Sequence, residues 1–291
     1  MSTPPTAEPA PLPEIDPGQA VELITAFIRS QVEQTGFRRL VVGLSGGVDS
    51  ATVAYLAARA IGPENVLAVR MPYRSSSPDS ETDALRVVTA LGCRTDRVDI
   101  TPMVDPMLTL VTGADEDALR VRRGNVMARQ RMIVLYDRSA AFDALVAGTG
   151  NKTEALLGYG TLHGDMAAAI APIGDLYKSQ LRAVAGALGV PDEIMAKPPS
   201  ADLWPGQTDE GELGASYDDL DRILFALVDR RWSPERCAAA GLDPRLVAWV
   251  AQRVARNEFK RQVPPAAKLS LRTPGVDHLY PRRRPGSRRG S

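Results

Sequence analysis

The sequence predicts an α/β fold, a doubly wound parallel sheet flanked by helices. Short apolar runs of strand type alternate with longer stretches whose apolar residues recur at helical spacing, and the apolar runs end in glycine-rich turns. A chain of 291 residues, 44% hydrophobic and 24% charged, is also long and apolar enough to bury one sizeable core. In such a sheet the ligand lies beyond the carboxyl ends of the strands, so the glycine-rich turns are where function is expected.

Residues 1–16 are rich in Pro, Ala and Glu and are read as a flexible lead-in. The folded domain is expected over 17–265. It opens with a helical stripe, Val21, Ile24, Phe27 and Ile28, ahead of the first strand, Leu40 to Leu44. After a turn at Ser45–Gly47 come a helix from about Ser50 to Ala60, a strand Val66 to Arg70, a helix Ser80 to Leu91 and a strand near Arg97 to Ile100. A long helix is predicted over Glu116 to Phe142, then a strand Leu145 to Ala147 that ends in Gly148-Thr149-Gly150. From Gly174 the pattern is mainly helical: Leu176 to Leu188, Tyr217 to Val228 and Pro244 to Arg261. The proline-, glycine- and acid-rich stretch Lys197 to Gly214 has the length and composition of a lid or binding loop. Residues 266–291 form an irregular basic tail with Arg282, Arg283, Arg284, Arg288 and Arg289, for which a solvated end is the simplest account.

Thirty-five basic residues balance thirty-five acidic ones, so bulk charge gives no argument for a nucleic-acid or membrane partner. Two cysteines, Cys93 and Cys237, in no CxxC pattern exclude a disulfide framework and fit a reducing compartment. With neither a signal-type start nor a long apolar run, the protein is expected to be cytoplasmic. His163 and His278 stand alone and support neither a metal site nor a triad.

The strongest local signal is Ser45-Gly46-Gly47-Val48-Asp49-Ser50 between a buried strand and a helix start. Glycines let backbone approach phosphate oxygens, exposed N–H groups and the helix dipole favour an anion, and the serines add donors. SGG alone would by default be a capped strand-to-helix turn. Six positions in this context point to phosphate or pyrophosphate, and the absence of GxxxxGK[ST] sets the loop apart from the Walker type.

The loop resembles the SGGxDS loop of the ATP pyrophosphatase superfamily, which splits ATP between its α and β phosphates. Later blocks are similar to the ammonia-dependent NAD synthetases: MPYRSSSPDSETDA at 71–84, GNVMARQRM at 124–132 and GTGNKTEALLGYGTLHGD at 148–165. APIGDLYKSQL, KPPSADLWPGQTDEGELGASYDDLD and NEFKRQVPP follow in order. The resemblance implies a Rossmann-like fold of the adenine nucleotide alpha hydrolase type. It also implies ATP as co-substrate, Mg²⁺ as cofactor, deamido-NAD as the acid and ammonia as the amine. ATP would be held by Gly43, Leu44, Ser45, Gly46, Gly47, Val48, Asp49, Ser50, Thr149, Lys178 and Ser200. Mg²⁺ would be held by Asp49 and Glu154, a donor set suited to a hard cation that also takes phosphate oxygens. Asp49, Lys178 and Asp165 are the expected catalytic groups. Arg129 and Lys260 match substrate-binding positions, whereas Leu162, Ala169 and Phe259 stand where many relatives carry lysine, aspartate and histidine. The resemblance leaves room for a paralogue that amidates another acid by the same adenylate chemistry. A homodimer is implied as well. The short lead-in has no room for the amidase domain of glutamine-dependent relatives, so ammonia is expected from an external source. An RNA-modifying member of the superfamily would need reactive cysteines or a basic domain, and a non-catalytic sensor would not need both carboxylates.

Overall fold

A computed structural model describes residues 11–273 apart from 114 and 205. The arginine-rich end of the tail, His278 and the first ten residues lie outside it. In chain order the elements are α1 (Pro17–Thr35), β1 (Arg39–Gly43), α2 (Val48–Ile61), β2 (Val66–Arg70), α3 (Pro78–Leu91), β3 (Arg94–Arg97), α4 (Thr101–Leu108) and α5 (Glu116–Phe142). Then follow β4 (Ala144–Ala147), α6 (Lys152–Leu157), α7 (Lys178–Leu188), α8 (Asp192–Met195), α9 (Asp209–Leu213), α10 (Tyr217–Leu224), α11 (Pro234–Ala239) and α12 (Pro244–Arg256).

The four strands form one parallel sheet in the order β3-β2-β1-β4. The chain winds outward from β1 through β2 to β3, then returns to lay β4 on the other side of β1. The order reverses between β1 and β4, and the crevice at their carboxyl ends is the switch point where α/β sheets bind ligands. Leu40, Val41 and Val42 of β1 are fully buried because helices cover both faces. The pleat sends Leu40 and Val42 into a core with α1, α2 and α7, and Val41 into a second core with α4 and α5. A third core joins α6, α10 and α12 through Leu157, Leu220, Ile223, Val247 and Val250.

Local chemistry sets the helix ends. Asp16 accepts a hydrogen bond from Gln19 N at 2.9 Å to cap α1, and left-handed Gly36 ends it. Asp115 caps α5 through Asp117 N and Ala118 N.

Three sequence expectations need correction. β3 lies over Arg94–Arg97, not Arg97 to Ile100, because parallel pairing aligns Leu67 with Arg94 and Arg70 with Arg97. The apolar Val98 and Ile100 instead run past the sheet end, with Ile100 N donating to Pro72 O at 3.0 Å, and Ile100 buries itself under α4. The helical pattern from Pro244 breaks at Asn257, whose side-chain amide turns back to Leu157 O at 3.1 Å. Within Lys197 to Gly214, α9 is an ordered helix whose Thr208 cap accepts from Gly211 N.

Candidate active site

The crevice beyond β1 and β4 holds a cavity of about 1120 Å³. That exceeds the usual range for a single small ligand, roughly 300–1,000 Å³. Its floor is the loop from Ser45 to Asp49, with Ser50 buried behind it and not among the lining residues. Gly46 has φ +83°, and a Cβ there would stand 2.2 Å from Ser80 O, so glycine is required for α3 to approach the loop. Ser50 Oγ donates to Gly47 O at 3.0 Å and lies 3.0 Å from Ser45 Oγ, which fixes the curl of the loop. The N-terminus of α2 opens onto the cavity with Gly47 as its cap, a placement that favours an anion.

Asp49, in the first turn of α2, reaches across to the elements after β4. Its carboxylate pairs with Lys178 Nζ and accepts from Asn151 Nδ2 at 2.9 Å. Lys178 begins α7 and is only 1% exposed; its Nζ also stands 3.7 Å from Glu154 Oε1. A reciprocal cap sets Glu154: its backbone N donates to Asn151 Oδ1 at 3.0 Å while its carboxylate accepts from Asn151 N. Burial, and then the negative charge of Asp49, push the Glu154 carboxyl up to about 8. For Lys178, burial pulls down, but Asp49 and Glu154 together more than offset it and its pKa rises.

Beneath this cluster lies a hydrogen-bonded support that sequence reasoning missed. Thr153 Oγ1 accepts from Lys178 N at 3.0 Å and donates to the buried Asp221 at 2.5 Å, and Asp221 also accepts from Ser179 N at 2.8 Å. One carboxylate of α10 therefore ties the starts of α6 and α7. Asp209 of α9, itself buried, enters the cavity as a third acid, accepting from Tyr159 Oη at 3.1 Å and Tyr217 Oη at 3.0 Å. Burial raises its carboxyl.

The remaining predicted residues divide. Gly43, Leu44, Val48, Thr149, Ser200, Asp165 and Lys260 line the cavity. Asp165 is open to the cavity and accepts from Thr161 N at 2.8 Å; the enclosing walls raise its carboxyl. Lys260 Nζ donates to Gly158 O and Gly160 O, both at 2.8 Å, and burial lowers its pKa. Arg129, Leu162, Ala169 and Phe259 are not among the lining residues. Arg129 is exposed and donates to Leu162 O at 3.3 Å, Ala169 N donates to Val146 O, and Phe259 is 60% exposed. The face of α5 that meets the cavity carries Gly124, Ala128, Arg131, Met132 and Leu135. Those positions follow one helical stripe, a signal that could have singled out Arg131 over Arg129.

The stretch from Lys197 to Gly214 lies over the cavity. Lys197 pairs with the buried Asp83 of α3, and Ser77 N donates to Asp202 at 3.0 Å. Leu203 packs close against Gly124, where a Cβ would meet Leu203 Cδ1 at 3.0 Å.

Fold and site together define an α/β protein with glycine-loop amides, a buried lysine and paired carboxylates gathered at its switch point, the class of site that suits a nucleotide. The sequence model of the family described as NAD synthase matches residues 20–264. The chain belongs to that family. It is 51% identical over 261 residues to the NH(3)-dependent NAD(+) synthetase of Chlorobium phaeobacteroides strain BS1, covering 90% of this chain and 93% of the relative. Among solved structures, the NH3-dependent NAD synthetase from Campylobacter jejuni superposes with a TM-score of 0.73 at 35% identity, over 88% of this chain and 100% of that one. The NMN synthetase from Francisella tularensis superposes with a TM-score of 0.75 at 29% identity, with the same coverage.

Proposed function

We propose that this protein is an ammonia-dependent NAD synthetase. The carboxylate of deamido-NAD attacks the α-phosphorus of ATP and expels pyrophosphate; ammonia then attacks the acyl carbon and expels AMP, leaving the amide of NAD. The observation that carries the reading is Lys178, buried between Asp49 on the loop helix and Glu154 behind β4. An ammonium fixed at that point is placed to meet the charge that gathers on a departing pyrophosphate. The name shared by relatives near 50% identity supports the substrates.

Asp49 and Glu154 would hold Mg²⁺. Two hard carboxylates, with Asp49 raising the charge cost of Glu154, would suit a cation that also takes phosphate oxygens and water. Among the described residues there is no cluster of three potential ligands, which fits a shared rather than an all-protein site. When bound, the ion neutralises polyphosphate oxygens. The protein chain supplies the rest: loop amides orient the phosphates, Lys178 balances developing charge, and the segment over the cavity keeps water from the adenylate.

We further propose a cytoplasmic homodimer fed by external ammonia. Exposed Met107 and Leu110 at the end of α4 and Ile133 and Tyr136 on α5 offer apolar surface for a second copy, and light scattering under assay conditions tests it. Among the described residues no helix is long and apolar enough to cross a membrane. A second reading takes the acid mononucleotide as substrate, favoured by the likeness to the Francisella NMN synthetase. Incubation with ATP, ammonium and either deamido-NAD or nicotinic acid mononucleotide, with amide, AMP and pyrophosphate all measured, separates the two. NAD formation in step with AMP is expected; amidation of the mononucleotide alone would replace the first reading with the second.

A further inference from the structure

We infer that Arg131 is a substrate-binding residue whose guanidinium clamps an oxyanion of the acid substrate, separately from the ATP phosphates. The assignment rests on the functional reading above and adds the residue that would recognise the acid.

Arg131 projects from the stripe of α5 that lines the cavity, one turn past Ala128. It is half-buried, and its desolvation lowers its pKa, yet an arginine keeps its charge under such conditions. Among the described residues its one hydrogen bond is from Nε to Met71 O at 3.2 Å, and it forms no ion pair. The two terminal nitrogens, which make the planar fork suited to a carboxylate or phosphate, are thus left without a protein acceptor. A half-buried guanidinium with both terminal nitrogens free of protein acceptors is a ready partner for an anion that enters the cavity.

The charge layout indicates which anion. The charged neighbours of Arg131 are Asp202 and Asp165, both favouring its cationic form. Those of Lys178 are Asp49, Glu154 and Asp209. Lys178 and Arg131 are two of several cations around this cavity, which also include Lys197, Arg253 and Lys260, and their surroundings differ. The first lies beside the glycine loop and suits phosphates. The second lies beside Asp165 and the end of β2, where a second anionic molecule would be gripped. Met71 O fixes Nε, so the fork is aimed by a backbone atom and does not swing freely. Asp202 brings the segment over the cavity into the same neighbourhood, since it is also the acceptor for Ser77 N.

The test is calorimetric binding of ATP, deamido-NAD and NAD to the full chain, in wild type, Arg131→Gln and Arg131→Lys. Arg131→Gln is expected to weaken deamido-NAD by about 30-fold or more, the scale for removing one partner of a buried charged hydrogen-bond pair, with ATP changed by less than about threefold. Arg131→Lys keeps the charge without the fork and should recover part of the loss. A loss confined to deamido-NAD identifies the anion as the carboxylate; an equal loss for NAD identifies a substrate phosphate. Either result supports the clamp. Equal weakening of ATP would mean that Arg131 serves the cavity wall as a whole, and unchanged binding of all three would remove it from recognition; both overturn the assignment. A wild-type chain that binds ATP but neither dinucleotide overturns the functional reading and the clamp with it.

Discussion

Glu154 combines a capping role with a charged one, and the two can be separated. Its cap to Asn151 needs only a side-chain acceptor, which glutamine also supplies, whereas metal and lysine contacts need the carboxylate. Glu154→Gln and Asp49→Asn should each cut turnover by about 100-fold or more, equivalent to ~2.7 kcal/mol of transition-state stabilisation, with circular dichroism unchanged. Near wild-type rates at saturating magnesium would remove that residue from the metal site. The same carboxyl gives a pH signature. Its folded-state pKa is raised to about 8 by burial and by Asp49, against about 4.3 in an unfolded chain. Between those values the folded protein holds a proton that the unfolded chain has lost. Stability of the metal-free protein should therefore fall as pH rises through that interval. Thermal melts in magnesium-free buffers should show the decline, and Glu154→Gln should flatten it; an equal decline in the variant would place its origin elsewhere.

The starts of α6 and α7 converge because Thr153 and Asp221 bind them together, and this is where a conservative change should be felt. Thr153→Val keeps the shape but leaves Lys178 N and one Asp221 oxygen unpaired, at a cost of about 1–3 kcal/mol. Urea melts should show the loss together with slower turnover; unchanged melts would mean the link is not structural. The segment over the cavity is anchored by the Asp202 carboxylate on Ser77 N, and Asp202 holds φ +50°. Asp202→Gly accepts that backbone and deletes the anchor, together with one negative charge near Arg131. The ratio of AMP released to amide formed should then rise above one as water reaches the adenylate. A ratio held at one would make the anchor dispensable.

Much of this was legible in the sequence, and the exceptions have causes. α5 could be read to both ends because Asp115 caps it and its stripe runs unbroken into Phe142. The phosphate loop declared itself through glycines between strand and helix. β3, by contrast, is an edge strand of Arg, Thr, Asp and Arg, so its hydropathy resembles a loop and the apolar Val98 and Ile100 drew the expectation forward. α4 was hidden by Pro102 and Pro106, the second of them inside the helix. Lys178 has nothing in its own neighbourhood to mark it as buried. Its environment is assembled from α2, α6 and α9, whose contributions lie far apart in the chain, and for this lysine only the family resemblance raised it above an ordinary surface residue.

The whole molecule reads as one sheet that brings two halves of a reaction to a single crevice. The loop after β1 turns its glycines to the cavity, the elements after β4 supply Lys178 and Glu154, and α5 closes the side with Arg131. The cavity is larger than a single small ligand usually takes, and Lys178 and Arg131 stand in it with different charged neighbours. In the proposed reaction the acid and ATP are joined covalently before ammonia acts. The most direct measurement is isotope transfer from deamido-NAD carrying oxygen-18 in its carboxylate, with ATP, magnesium and ammonium present. Attack of that carboxylate on the α-phosphorus predicts one labelled oxygen in the AMP released and none in pyrophosphate. Label in a phosphate split from the γ-position, or NAD formed with unlabelled AMP, would contradict the adenylate route.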